Sequence, residues 1–384
     1  MKKRVMSLLL VAAMAISMFA ACGGSDNNAN VDGTESANAG AAGYEIALVT
    51  DKGNIDDKSF NQGSWEGVVA FAEANNVTYQ YYKPEEASDE GYYNAISLAI
   101  DGGAKVVVCP GYLFEVAVYN AQTVYPDVKF ILLDGEPHTP DYATYQTEAN
   151  VACVMYAEEE AGFLAGYAAV MDGMTTLGFE GGMAVPAVIA FGQGYLQGIE
   201  AAATELGLPD GSVKVFYHYT GDFAETDANK ATAKAMFESG AQVIFGCGGS
   251  VGKSVFSAAA EAGAKSIGVD VDQKADSETV ITSAMKGLGA SVQAVLEAIY
   301  SDSFDTYAGK TTYFSAANNG VGLPDDFSRF ETFTKEQYDA AYATLVSGAV
   351  DPIRAVATAE ESGIATAEEL AEGLNLVKVV VEIR

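Results

Sequence analysis

From Tyr44 onward, short β-forming runs alternate with longer helical stretches, and no other feature restricts the fold as much. Strands are expected at 45–50, 77–82, 105–109, 129–133, 176–179, 213–218, 242–246, 265–269 and 280–283, with a last one near 376–383. Helices fall between them, at 60–75, 90–101, from 150 through 171, across 190–206, and ending at 239, 262 and 300. Strand–helix–strand units of this kind build parallel sheets with helices on both faces. At 384 residues the chain exceeds one ordinary core, so the expectation is α/β with two doubly wound, Rossmann-like lobes joined by crossover hinges. Residues 134–150 and 270–282, poor in apolar side chains, read as crossings between lobes, and a third is expected near 310–320. This puts one lobe at 44–148 and 275–312 and the other at 149–274 and 313–384. The second would hold a helix within 327–352 and a short one at 365–373.

Charge removes several classes of function. The chain carries 21 Lys and Arg against 52 Asp and Glu, a net charge of −31. Phosphate backbones need Lys and Arg to displace their counterions, so nucleic acid is not an expected partner. Electrostatic adhesion to an anionic bilayer is disfavoured in the same way. There are two His and no C-x-x-C, so neither a zinc site nor another metal or cofactor is expected. Gly248-Gly-Ser-Val-Gly252 matches the nucleophile-elbow pattern, but no His follows Ser250 as hydrolases of that type require. Cys247 to Ser254 nearly matches a phosphate-binding P-loop, with Cys247 where the first Gly belongs.

The first residues read as an export signal. Lys2, Lys3 and Arg4 precede a mostly apolar stretch at 7–20 that is short for a membrane span and ends in small residues before Cys22. Small residues before a Cys are similar to a bacterial lipobox, so 1–21 is expected to be a lipoprotein signal peptide and Cys22 the lipid acceptor. An ordinary secretory signal is the alternative. Residues 22–43, rich in Gly, Ser, Asn and Ala, read as a flexible tether. Cys109, Cys153 and Cys247 remain, an odd number. Cys109 and Cys247 each end an apolar run, which suits buried free thiols.

Ligands of open parallel sheets sit outside the carboxyl ends of the strands. Asp51, Gly111, Asp134, Phe223, Gly248, Gly249, Asp270 and Lys286 fall at or near such ends and together describe a cleft between lobes. The loop 51–65 offers a carboxylate at Asp51 and an aromatic face at Phe60; it equally reads as a solvated loop capped by Ser59. Trp65, a turn further on, reads as core. Gly248-Gly249-Ser250 places backbone N–H groups at a helix N-terminus, where they can meet a hydroxyl or an anion. A carboxylate at a strand tip, as at Asp270, can accept two hydroxyl protons and suits a ribose diol; capping the next turn is its alternative. Lys286 offers an ammonium or is simply solvated.

The segments DKGNIDDKSFNQGSWEG (51–67), AGFLAGYAA (161–169), GGMAVPAVIAFGQGYLQGIEAA (181–202), IGVDVDQ (267–273) and TSAMK (282–286), with the Gly-Gly-Ser turn, resemble the basic membrane protein family. Its members are lipid-anchored periplasmic-binding-like proteins that include purine nucleoside receptors of ABC importers. The resemblance runs from about Tyr44 to Tyr300; NNGVGL (318–323) matches more loosely. It implies a type I periplasmic-binding-protein-like fold and a nucleoside, a purine one in the family's receptors, clamped between the lobes, with the base preference left open. Phe60 and Phe223 would sandwich the base, Asp51 and Asp134 would hydrogen-bond its edge, and Asp270, Lys286, Gly248 and Gly249 would hold the ribose. It further implies no catalysis, ABC permease and ATPase partners, and a monomer on the extracytoplasmic face of the cell membrane, held there by its lipid. A sugar receptor of the same fold and a ligand sensor for a membrane kinase are the competing roles. A nucleoside hydrolase would need a metal-binding acidic loop, and 270–277 departs from that pattern by ending in Ser and carrying Lys274.

Overall fold

The computed structural model describes residues 44–354, 369, 371 and 373–384. The expected signal peptide, Cys22 and the tether lie outside the described residues, as does most of the short helix expected at 365–373.

In chain order the first strands are β1 (Ile46–Val49), β2 (Tyr79–Tyr82), β3 (Val106–Pro110), β4 (Lys129–Leu133), β5 (Val151–Tyr156), β6 (Thr176–Gly181) and β7 (Val213–Tyr219). They are followed by β8 (Val243–Cys247), β9 (Lys265–Asp270), β10 (Val280–Lys286), β11 (Lys310–Phe314), β12 (Val321–Gly322) and β13 (Val379–Ile383). The helices are α1 (Phe60–Asn75), α2 (Asp89–Asp101), α3 (Glu115–Val124), α4 (Glu158–Met171) and α5 (Pro186–Glu205). Then come α6 (Asp227–Glu238), α7 (Val251–Ala262), α8 (Leu288–Tyr300) and α9 (Lys335–Val346).

The strands form two sheets. One is wholly parallel in the order β11-β5-β4-β3-β1-β2; the other runs β12-β10-β9-β8-β6-β7-β13, with only β12 antiparallel. The expected two-lobed α/β arrangement is therefore what forms. Inner strands are buried on both faces, so they read as unbroken apolar runs rather than alternating ones. Their side chains still divide by the period of two. Ile46 and Leu48 face the core under α1 and α8, whereas Ala47 and Val49 face the core under α2 and α3. In the second sheet, Phe245 faces the α4/α5 side and Ile244 the α6/α7 side. α4 and α5 pack backbone to backbone: a Cβ on Gly194 would lie 2.0 Å from the Glu159 carbonyl oxygen. β13 docks beside β7 because the Glu200 carboxylate on α5 accepts the N–H groups of Val377, Lys378 and Val379.

Sheet membership moves the lobe boundaries. Residues 134–150 join β4 to β5 within the first sheet, and 271–279 join β9 to β10 within the second, so neither is a crossing. The chain instead changes sheets at Ala157, at Gly287 and between Phe314 and Val321. A lack of apolar residues marks a surface loop but not the strand to which the loop returns. β5 is the other departure: a strand occupies 151–156 where a helix is expected from 150. Only Ala157 separates it from α4, without Gly or Pro to mark the junction, and pairing with β4 and β11 commits it to the sheet. β11 and β12 also go unforeseen.

Candidate ligand-binding site

A cavity lies between the carboxyl ends of the two sheets. The first lobe lines it with Asp51, Phe60, Gly111 and Asp134; the second adds Phe223, Gly248, Gly249, Asp270 and Lys286. All eight residues expected to contact a ligand thus meet at one cavity.

Position relative to the strands explains the meeting. Asp134 follows β4 and Asp270 ends β9, and both carry left-handed backbone, with φ of 55° and 67°. Left-handed φ is uncommon outside Gly, but Asp and Asn adopt it more readily than other residues, which suits a carboxylate at a tight strand-end turn. The two carboxylates therefore stand at matching strand tips, one in each lobe.

Asp51 Oδ1 accepts from the Gly53 N–H at 2.7 Å and the Asn61 amide at 2.8 Å, while Oδ2 lies on the side of Gly111. Burial pushes its carboxyl up to about 6, against those hydrogen bonds. Asp57, not Ser59, caps α1: its carboxylate accepts the N–H groups of Ser59, Asn61 and Gln62. The Ser59 hydroxyl is turned instead to Asp270. That leaves Phe60 at the first turn of α1, half-buried and lining the cavity. Trp65 packs edge-on to Tyr79 and Tyr81 beside the core, as expected.

Phe223 projects from the loop after β7 and rests against glycines. A Cβ on Gly248, whose φ is 126°, would lie 3.1 Å from its ring. The Ser250 N–H donates to the Phe223 carbonyl, so the Gly-Gly-Ser turn holds the aromatic loop, and one of its N–H groups is already committed. Lys253, the P-loop-like lysine, faces a different surface recess.

Lys286 lies at the cavity floor, fully buried, with its ammonium 4.8 Å from the Phe60 ring centre, 5.2 Å from Tyr156 and 5.3 Å from Phe191. It pairs with Asp134 across the lobes and with Glu158 at 3.0 Å. Burial works against its charge, yet Asp134, Glu158 and Asp270 hold it well above the usual lysine range. Burial raises Asp134 and Asp270, and the ammonium reverses only part of that. Asp134 Oδ1 is buried with no hydrogen-bond partner among the described residues. The site thus offers two ring faces, an unmet acceptor and a caged ammonium.

Sequence reading missed the N-terminal end of α5, where Val185, Ala187, Val188 and Phe191 add to the wall. Pro186 at the start of a helix that follows a strand tip was the available signal. It also missed Glu158 and Arg354 beneath Lys286, which no sequence spacing connects. Cys109, Cys153 and Cys247 are buried free thiols, and Cys247 borders the cavity.

A family model described as ABC transporter substrate-binding protein PnrA-like matches residues 45–347. The chain is 28% identical over 373 residues to the ABC transporter nucleoside-binding protein BmpA of Lactococcus lactis subsp. cremoris, covering 91% of this chain and 99% of that protein. It is 30% identical over 257 residues to basic membrane protein A of Borreliella burgdorferi, covering 65% of this chain and 71% of that one. Among solved structures, an ABC transporter solute-binding protein from Aeropyrum pernix superposes with a TM-score of 0.71 at 23% identity, over 86% of this chain and 98% of that chain. That likeness is one of fold, the type I periplasmic-binding-protein-like architecture. With a model matched over β1 to β12 and the whole cavity lining, the chain belongs to the PnrA-like family of ABC transporter substrate-binding proteins.

Proposed function

We propose that the protein captures a purine nucleoside between its lobes and delivers it to an ABC permease, tethered by a lipid on Cys22 at the extracytoplasmic face of the cell membrane. One observation carries the reading: the cavity joins an aromatic side chain from each lobe to a buried cluster of Asp134, Asp270 and Lys286. Aromatic faces supply base stacking of about 1–3 kcal/mol each. Ionised Asp51 and Asp134 accept hydrogen bonds and so favour N–H groups on the base edge. Asp270 and Lys286 take the ribose oxygens, with the Gly248–Gly249 turn beside them. The name of the Lactococcus relative supports the same ligand class. No bond is made or broken in this role, and one subunit suffices for it.

Calorimetry tests it, on protein unfolded and refolded to remove carried-over ligand. Guanosine, inosine and adenosine should bind far more tightly than free bases or pentoses. Sugar binding without nucleoside binding would make it a sugar receptor.

A further inference from the structure

Behind Lys286, on the side away from the cavity, lies a second cation whose position the ligand site does not explain. Arg354 belongs to the segment that follows α9. Gln197 on α5 exchanges two hydrogen bonds with the neighbouring Ile353 backbone, 2.7 Å to its N–H and 3.0 Å from its carbonyl. Arg354 is thereby held against the start of α4, where its guanidinium donates to the Tyr156 carbonyl at 2.8 Å, to Glu159 at 2.7 Å and to Glu158.

Glu158 is completely buried, and one carboxylate oxygen faces Arg354 while the other faces Lys286. We propose that Arg354 is a positioning residue for the ligand site, setting the place of the Lys286 ammonium through the shared Glu158 carboxylate; this rests on the nucleoside reading above.

Charge balance is the physical reason. Without Arg354, one ammonium would face Asp134, Glu158 and Asp270 together. A buried carboxylate stripped of its partner either takes up a proton or pulls on the remaining cation. Either response moves Lys286 relative to the rings of Phe60 and Phe191 and to the ligand. With both cations in place, Glu158 stays ionised: burial raises it, but Arg354 and Lys286 bring it down to about 2. The family model ends at residue 347, so Arg354 lies beyond the matched segment.

The test is a double-mutant cycle read by nucleoside calorimetry. Arg354→Met should weaken guanosine binding about tenfold, and by less than about twofold when Glu158→Gln is already present. Arg354→Lys, which keeps the charge without the fork, should recover part of the loss. Equal losses in both backgrounds would mean that Arg354 only pins its own segment, and the proposal falls; so does unchanged affinity in Arg354→Met. Should Arg354→Met not fold, Arg354→Lys runs the same cycle. A second arm needs no ligand. Melting shifts of Arg354→Met and Lys286→Met should be non-additive if the two cations share Glu158, and additive shifts overturn the relay. Wild-type protein that takes no nucleoside refutes the nucleoside reading, while the melting cycle still decides the relay.

Discussion

Ser59 Oγ, at the entrance to α1 in the first lobe, donates a 2.5 Å hydrogen bond to Asp270 Oδ2 at the tip of β9 in the second. Both residues are buried, so the bond joins the lobes through the cavity wall and orients the carboxylate assigned to the sugar. A site built to accept hydroxyl protons rejects a ligand that lacks them. Asp270→Ala should therefore cut nucleoside affinity about tenfold or more, and should shrink the gap between a nucleoside and its free base. Calorimetry on both ligands measures that gap; an equal gap in variant and wild type removes Asp270 from the sugar subsite. Ser59→Ala should shrink it less, since the carboxylate remains.

Phe60 and Phe223 are half-buried and border the cavity from opposite lobes. Replacing either by Ala should cost about 1–3 kcal/mol of nucleoside binding. The ligand-free melting temperature should fall less than in Phe245→Ala, whose ring is fully buried in the second sheet. A large melting loss with intact affinity would make the ring a core residue.

Binding should depend on pH through Asp51, which burial pushes up to about 6. Above that value it accepts from an N–H; below it the protonated carboxyl donates instead. Guanosine and inosine, with an N–H on the ring edge, should lose affinity relative to adenosine between pH 7.5 and 5. Asp51→Asn should remove most of the difference.

Glu180 on β6 is fully buried, with both carboxylate oxygens unpartnered among the described residues, and burial pushes it up to about 8 from 4.5. Its folded value lies above its free one, so the folded state keeps the proton longer. The resulting stability is complete below pH 4.5 and is lost as the pH rises through 8. Glu180→Gln should raise the melting temperature at pH 8.5 and flatten its decline from pH 5. Thermal melts across that range, with wild-type behaviour in the variant as the contrary result, decide the matter.

Lipid attachment is expected at Cys22. Cys22→Ser should release the protein from membranes or leave an uncleaved precursor. Processing and membrane fractionation identical to wild type would mean a different anchor.

Alternation of strand and helix, and the rule that ligands collect at strand carboxyl ends, were enough to reach the fold and Asp51, Asp134, Asp270 and Lys286, because both follow from local apolar patterning. The same rule reached Phe223, and the loop 51–65 offered Phe60 as an aromatic face; their pairing as the two sides of a base sandwich came only through the family resemblance. Local pattern is silent on sheet membership. That is why VACVMY passed for helix, and why the loop 134–150 passed for a crossing while Ala157 and Gly287, where the chain does change sheets, went unread; of the three changes only that between Phe314 and Val321, expected near 310–320, was legible. Ser59 shows the same limit: its place before α1 suggests a cap, but Asp57 supplies the carboxylate and frees the hydroxyl for Asp270, 211 residues away.

The sequence by itself determined which segments become strands and which polar residues stand at their tips, since burial and backbone preference act within a few residues. Only the tertiary structure decided that Lys286 would stand between Asp134 of one lobe and Glu158 of the other, with Arg354 behind. Such a cluster exists only when two sheets and a C-terminal segment exclude water from the same point. Desolvated charges hold one another at distances that no spacing along the chain encodes.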